Sequence, residues 1–477
     1  MLKSIFFRPA FDACLIIRQL TSLALMLTTF SVFASPRDLQ NVIDDYVAES
    51  MRSNLALQAE TYTVQQAKAS LDAARAHYLP ELSLDARYTW SHGGRDISFP
   101  IGDALNPVYS TLNQMLEAQG QQGNFPHIDN VTIPFLRAHE QDTHISLRQP
   151  LFAPAISAGV RAQQSMLGAT QQQRIAYARQ LKRDVTVAYL NWLRASNVVQ
   201  IVSGTRDLLA ENLRVNESLF NNGKVTQDQP LRARAEFLDV QQQLQQANDA
   251  QQQAQSYVNF LLNRPLDTPL EDATVPAELN TIAVDLAQSQ KQAIDQRAEL
   301  QQLDKAAQAA KHQVSIAKSA SIPTLSLGVD SGIQGDDYGF DSQHRYTSAS
   351  LVLTWKFYAG GGMRAQVDAA NAQARRLAAQ RDSAQQQVAL QVQQAVDRYR
   401  TAISSLGVAT ARADAARTVF RIASRKRDEG VINQTEFLDA RNSLTTAELN
   451  LNLTRFGVLS EAAELEYTTA NGVLPLQ

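Results

Sequence analysis

The stretch NGKVTQDQPLRAR, residues 222–234, comes back as EGVINQTEFLDAR, residues 429–441. Superposing Gly223 on Gly430 also superposes Val225 on Ile432, Gln227 on Gln434, Leu231 on Leu438 and Ala233-Arg234 on Ala440-Arg441. An offset of about 207 residues is too long for one unit of a solenoid. Whatever the chain folds into must contain one large substructure twice, each copy turning at a glycine between two helical stretches.

Ala, Gln, Leu and Arg dominate those stretches, with apolar residues recurring at three and four, which is the pattern of long packed helices. Even the glutamine-rich VQQQLQQANDAQQQAQ keeps helical spacing, with Leu238, Val240, Leu244, Ala247 and Ala254 in register, so it reads as helix rather than low-complexity coil. Proline and glycine punctuate the pattern. One helix runs from about Asp38 to Pro80, one from Pro154 to about Asn222, and one from the Gly223 turn to near Pro265. After the proline-rich NRPLDTPLEDATVPAEL the order restarts, with helices from about Val284 to Ser321, Met363 to Glu429, and the Gly430 turn to about Ala470. The expected division is a single domain over 35–477, with repeat one at about 38–263, a linker at about 264–283 and repeat two at about 284–471.

Four short stretches break the helical period. In LSLDARYTW, Leu82, Leu84, Ala86, Tyr88 and Trp90 alternate with Ser83, Asp85, Arg87 and Thr89, and SASLVLTWKF sets Ala349, Leu351, Leu353, Trp355 and Phe357 against Ser348, Ser350, Thr354 and Lys356. That is strand alternation; HISLRQPLF and TLSLGVD are weaker versions. Each copy therefore places two strands at one end of a helix of about 65 to 70 residues, roughly 100 Å long, and a glycine turn at the other. The expected shape is a rod with a sheet at one end and two helical hairpins at the other. Four strands alone leave two open edges and an aromatic face in water. Strands pooled from several copies into a closed barrel remove the edges, with Leu82, Leu84, Tyr88, Trp90, Leu351, Leu353, Trp355 and Phe357 toward lipid and the polar face lining a wet lumen.

The chain starts with Lys3, Arg8 and Arg18 and the apolar run LTSLALMLTTFSVFA, with Val32 and Ala34 in cleavage positions, so residues 1–34 read as a secretory signal peptide. No later stretch approaches 18 consecutive apolar residues, which leaves a β-barrel as the only way to span a membrane. Cys14, the one cysteine, lies ahead of the apolar run, so the mature chain is expected to hold no disulfide or thiolate metal site. Net charge is -3, or -5 without the three bases and one acid of residues 1–34, which makes nucleic acid an unexpected partner.

In this order and spacing the features resemble the outer membrane efflux proteins of the TolC type. The resemblance covers the mature chain and rests on the tandem repeat, on ARAHYLPELSL and its echo AKSASIPTLSL, on LRQPLF and LTWKFYAGGG, and on the glycine turns followed by ARAEF and ARNSL. It implies a mostly α protein with a transmembrane β-barrel: a homotrimer with a twelve-stranded barrel in outer membrane lipid, continued by a helical tunnel across the periplasm. It also implies an exit duct serving a periplasmic adaptor and an inner membrane pump of RND or ABC type, in efflux or type I secretion. The glycine turns become the periplasmic tip, with Asn222, Gly223, Lys224, Val225, Gly430, Val431 and Ile432 as adaptor-docking candidates. Glu436 and Asp439 match the two acids that line the periplasmic aperture in that family, and three copies would make a ring of six carboxylates. Their counterparts in the first copy are Gln229 and Arg232. Members that latch shut can use an acid at the position of Gln229 and polar partners at Arg427 and Ile432, of which only Arg427 fits here.

The segment from Ser91 to Asp142 is too long for a bare hairpin and is expected outside the cell, capping the barrel. His92, His127, His139, His144 and His344 lie in or beside the outer loops without metal-ligand spacing. The AGGG at 359–362 lacks the following Gly-Lys-Ser/Thr of a phosphate loop and reads as a strand-to-helix connector. With no nucleophile elbow, His-Glu metal motif or paired acids in a cleft, no enzyme activity and no cofactor are expected. The competing reading is a soluble periplasmic coiled-coil scaffold or adaptor, which accounts for the helices but not for aromatic alternating strands.

Overall fold

Pro154 sits in the first helical turn, where its missing N–H costs nothing, and from it runs an uninterrupted helix of 68 residues. The computed structural model describes residues 37–276, 279 and 283–475. In chain order they form β1 (Arg37–Asp38), α1 (Leu39–Ser53), α2 (Leu55–Ala76), β2 (Glu81–Trp90), β3 (Asp96–Phe99), α3 (Ile101–Ala118), β4 (Val131–Pro134), β5 (His139–Phe152), α4 (Pro154–Asn221), α5 (Asp228–Leu261), β6 (Ala273–Thr274), α6 (Leu286–Gln296), α7 (Ala298–Ser319), β7 (Thr324–Gly335), β8 (Arg345–Thr354), α8 (Gly362–Asp428) and α9 (Gln434–Thr468). The expected signal peptide, residues 1–34, and residues 277, 278 and 280–282 of the expected linker lie outside the described residues. The two long helices, α4 and α8, have 68 and 67 residues and extend about 100 Å. The glycines before α8 turn the corner from strand to helix, with Gly360 and Gly361 at φ 55° and 82°.

Two expected helices are each broken once, because the backbone is extended at Asn54 and at Arg297, with ψ 121° and 124°. At the first break the Asn54 amide oxygen accepts from the N–H groups of Ala56 and Leu57 at 3.0 Å each, while its Nδ2 donates to Leu261 O at 3.0 Å. Ser53 Oγ donates to Leu262 O at 2.7 Å. One side chain thus closes the start of α2 and the end of α5 together, splicing them into a column beside α4. At the second break Arg297 donates to Glu299 and Gln391 and lies over the Tyr467 ring at the end of α9. Apolar spacing runs on through both breaks, so periodicity could not show them. Asn54→Ala is expected to lower stability by about 2 kcal/mol, from a lost helix cap and an orphaned carbonyl. The check is the Tm of the detergent-purified protein; an unchanged Tm would show that the splice carries no load.

The core lies in three places. Halfway along α4, Val185, Tyr189 and Leu190 pack with Val42 and Val47 of α1 and with Val258, Leu262 and Phe456. Halfway along α8, Val392, Val396 and Tyr399 pack with Ala293, Leu300 and Val458. At the far end Val202, Leu209, Val240, Phe437 and Leu438 join the two hairpins. Each large side chain so buried stabilises by about 1.5–3 kcal/mol.

The sheet is antiparallel in the order β2-β5-β7-β8. Beside it the helices pack in the order α2-α4-α7-α8, and in the other half of the rod α5-α4-α9-α8. At the sheet and in both halves of the rod the described residues form a strip four elements wide, its outer members less covered than its inner ones, with α1 and α6 added against α4 and α8 in the middle. The burial agrees: 17 residues of α4 are buried but only 8 of the equally long α8.

Candidate functional site

The register decides which side chains share a face of the sheet. Leu82 faces Leu147, Leu84 faces Ile145, Tyr88 faces Gln141 and Trp90 faces His139; Leu353 and Leu351 face Leu325 and Leu327. Leu82, Leu84, Tyr88, Trp90, Leu351 and Leu353 therefore stand on one face, 57 to 72% exposed in the single chain. The alternation expected through Phe357 stops earlier, since β8 ends at Thr354. Trp355 leaves the strand because its indole N–H donates to Ser321 O at 3.1 Å, and its ring packs edge-on to Phe357, 6.1 Å between centroids. Those two rings stay highly exposed at the junction between sheet and helix.

The opposite face is a hydrogen-bonded polar surface. Asp142 accepts from Tyr346 Oη at 3.1 Å, lies 2.9 Å from His144 Nδ1 and 3.6 Å from Arg87, and Ser146 donates to Asp330. Gly332 leaves room for this network, as a Cβ there would stand 2.4 Å from that of His144. In the outer loop His344 is held between Asp341 at 2.6 Å and Asp337 at 3.2 Å, and the hydrogen bond to Asp341 raises its pKa. Among the described residues no three ligating side chains are grouped to hold a metal.

At the other end of the rod the two turns are built alike. Gly223 and Gly430 have φ 66° and 72°, the left-handed conformation that glycine adopts without strain. Lys224 N–H donates to Leu219 O at 2.9 Å, Val431 N–H to Lys426 O at 2.8 Å, and each glycine N–H reaches back three residues. Both are Schellman caps. Asn222, Gly223, Lys224, Gly430 and Val431 are exposed, whereas Val225 is half-buried and Ile432 packs partly against the tip core.

The copies differ just beyond the turns. Asn433 caps α9, its amide oxygen accepting from Glu436 N–H at 2.8 Å. Glu436 and Asp439 then project from one face of α9, both exposed, while Phe437, Leu438, Ala440 and Arg441 on its other faces are buried. Neither carboxylate meets a cation among the described residues, although other acids of this region do: Glu211 with Arg214, Asp428 with Arg427, Asp414 with Arg417. Arg427 does not reach Glu436 or Asp439. Its guanidinium lies 4.0 Å above the Phe437 ring and bonds Asp428 at 3.0 Å.

Two structural residues of the tip were not singled out from the sequence. Phe437, 1% exposed, is the platform for Arg427 and packs against Phe420. Arg441 is 6% exposed and lies 3.7 Å from Glu236 of the other hairpin, and burial lowers its pKa. Its repeat partner Arg234 is exposed. The aligned Ala-Arg pair was the available signal, but it could not say which copy is buried.

A family model described as outer membrane efflux protein matches residues 47–264 and 290–470. The alkaline protease secretion protein AprF of Pseudomonas aeruginosa is 21% identical over 333 residues, 68% of each chain. Among solved structures, the CmeC outer membrane channel of Campylobacter jejuni is 14% identical with a TM-score of 0.75, over 98% of this chain and 95% of that one. The outer membrane protein VceC of Vibrio cholerae is 16% identical with a TM-score of 0.71, over 92% of this chain and 100% of that one.

Proposed function

This chain belongs to the outer membrane efflux protein family, and from that premise we propose that three copies join edge to edge into one passive duct. As a family member it is a protein of the outer membrane that extends into the periplasm. The observation that supports the assembly is the strip. Among the described residues β2 and β8 are the outer strands, long edges that a solitary sheet would leave open to chance pairing, and α2, α5 and α8 are the outer helices on the same two sides. Joining β8 of one copy to β2 of the next brings α8 beside α2 and α5 as well. Three copies then give twelve strands, with the face of Leu82, Tyr88 and Trp90 toward lipid and the Asp142 network toward the lumen.

The duct takes its cargo from a periplasmic adaptor, which docks the glycine turns, and from an inner membrane pump of RND or ABC type. Its own part is passage, without catalysis or cofactor. AprF is named for protease secretion and CmeC as an outer membrane channel, and a wet pore of this kind serves either export route. Fractionation tests the assembly. A heat-modifiable trimer is expected in the outer membrane fraction; a urea-extractable periplasmic species would favour a soluble scaffold instead.

A further inference from the structure

The segment between β2 and β5 carries a built unit at the end of the sheet away from the long helices. In α3, Ile101, Leu105, Val108, Leu112 and Met115 recur at alternate steps of four and three, the seam spacing of a coiled coil. All five are exposed, from 36 to 59%. The helix is not loose. Residues 123–130 run back along its neighbouring face, where Asn113 accepts from Phe125 N–H at 3.0 Å and donates to Phe125 O at 2.8 Å. Seven residues earlier Asn106 does the same to Ile128, at 2.9 and 2.8 Å. Gly102 lets the two segments touch, since a Cβ there would lie 2.2 Å from Ile128 O. The strap fixes one face of α3 and leaves the apolar seam beside it uncovered.

We propose that the α3 segments of three copies pack against one another through this seam and form a helical lid across the outer mouth of the duct. The proposal rests on the threefold assembly argued above. The seam's own repeat selects the partner, because knobs at alternate steps of three and four fit a helix with the same repeat, and two more copies stand at the same rim. The anionic outer leaflet is the poorer occupant. A helix that lies on such a surface is rich in Lys and Arg, whereas α3 has neither and carries Asp103 and Glu117. Reach is sufficient: 18 residues extend about 27 Å, and strands about 4.8 Å apart put the rim of a tilted twelve-stranded barrel roughly 12 Å from its axis.

The test is disulfide trapping on intact cells in a Cys14→Ser background. Leu112→Cys and Val108→Cys, placed one at a time on the seam, are expected to give a covalent dimer on mild oxidation, and Gln114→Cys, exposed on the far side of the helix, none. The heat-modifiable trimer is followed in the same samples without oxidant. No dimer from either seam position while the trimer is intact overturns the lid and leaves the duct standing, as does equal trapping from Gln114→Cys. Absence of the trimer overturns both.

Discussion

Tryptophan at both Gly223 and Gly430 is expected to abolish export while leaving the amount of trimer in the outer membrane unchanged. Both glycines sit at positive φ, 66° and 72°, where any L residue with a Cβ is strained by roughly 1–2 kcal/mol. Nothing lies within 4 Å of a Cβ built at either position. The substitution therefore clashes with no neighbour and acts by unwinding the Schellman caps and by placing a bulky ring on the exposed tip. That damage is local, because the strand edges proposed to join the copies lie roughly 100 Å away along α4 and α8. Asparagine tolerates the left-handed conformation and serves at this helix position, so Gly223→Asn/Gly430→Asn should keep most of the export that the tryptophan pair loses. Export is measured as drug tolerance or secreted cargo in a strain lacking the native gene. Wild-type export by the tryptophan pair would remove the turns from docking.

The legible parts of this fold were those written as repeats. The matching turns at Gly223 and Gly430, the restart of the helical pattern after the linker, and the alternation around Tyr88 and Leu351 carried the architecture. All of them are local patterns with a fixed period. What stayed hidden depends on contacts between distant residues. Asn54 ends a helix because its amide serves Leu57 and Leu261 at once, and no window of sequence contains both. The segment after Trp90 looked like a long loop, yet it holds β3, α3 and β4. Its helix is stabilised partly by a strap that returns 12 to 27 residues later, although the seam of Ile101 to Met115 was there to be counted. At the candidate gate, Glu436 and Asp439 were visible as an asymmetry between copies, but the engagement of Arg427 with Phe437 needed the folded tip.

Block of the pore by a trivalent cation added from the periplasmic side is expected in the native protein and lost in Glu436→Ala/Asp439→Ala. The two acids share a face of α9 within two turns of its Asn433 cap, and they stay exposed with no ion-pair partner among the described residues, whereas Asp428 at the same turn lies against Arg427. A helix N-terminus favours acids for its own sake, and that alone would explain one carboxylate. It does not explain why the first copy, which turns through the same Schellman motif and also has an acid, Asp228, in the first turn of its helix, carries Gln229 and Arg232 at the matching positions. In a three-copy ring the second-copy acids would set six carboxylates around one constriction, a field that concentrates cations. A trivalent ion about 4 Å from a single carboxylate gains about 3 kcal/mol even in bulk water. Removing the ring should then weaken block by on the order of a hundredfold. The recording is single-channel current of the trimer in a planar bilayer. If native channels pass current unblocked, or the double variant is blocked as strongly as the native protein, the acids do not line the pore, and their exposure reflects only the helix end that bears them.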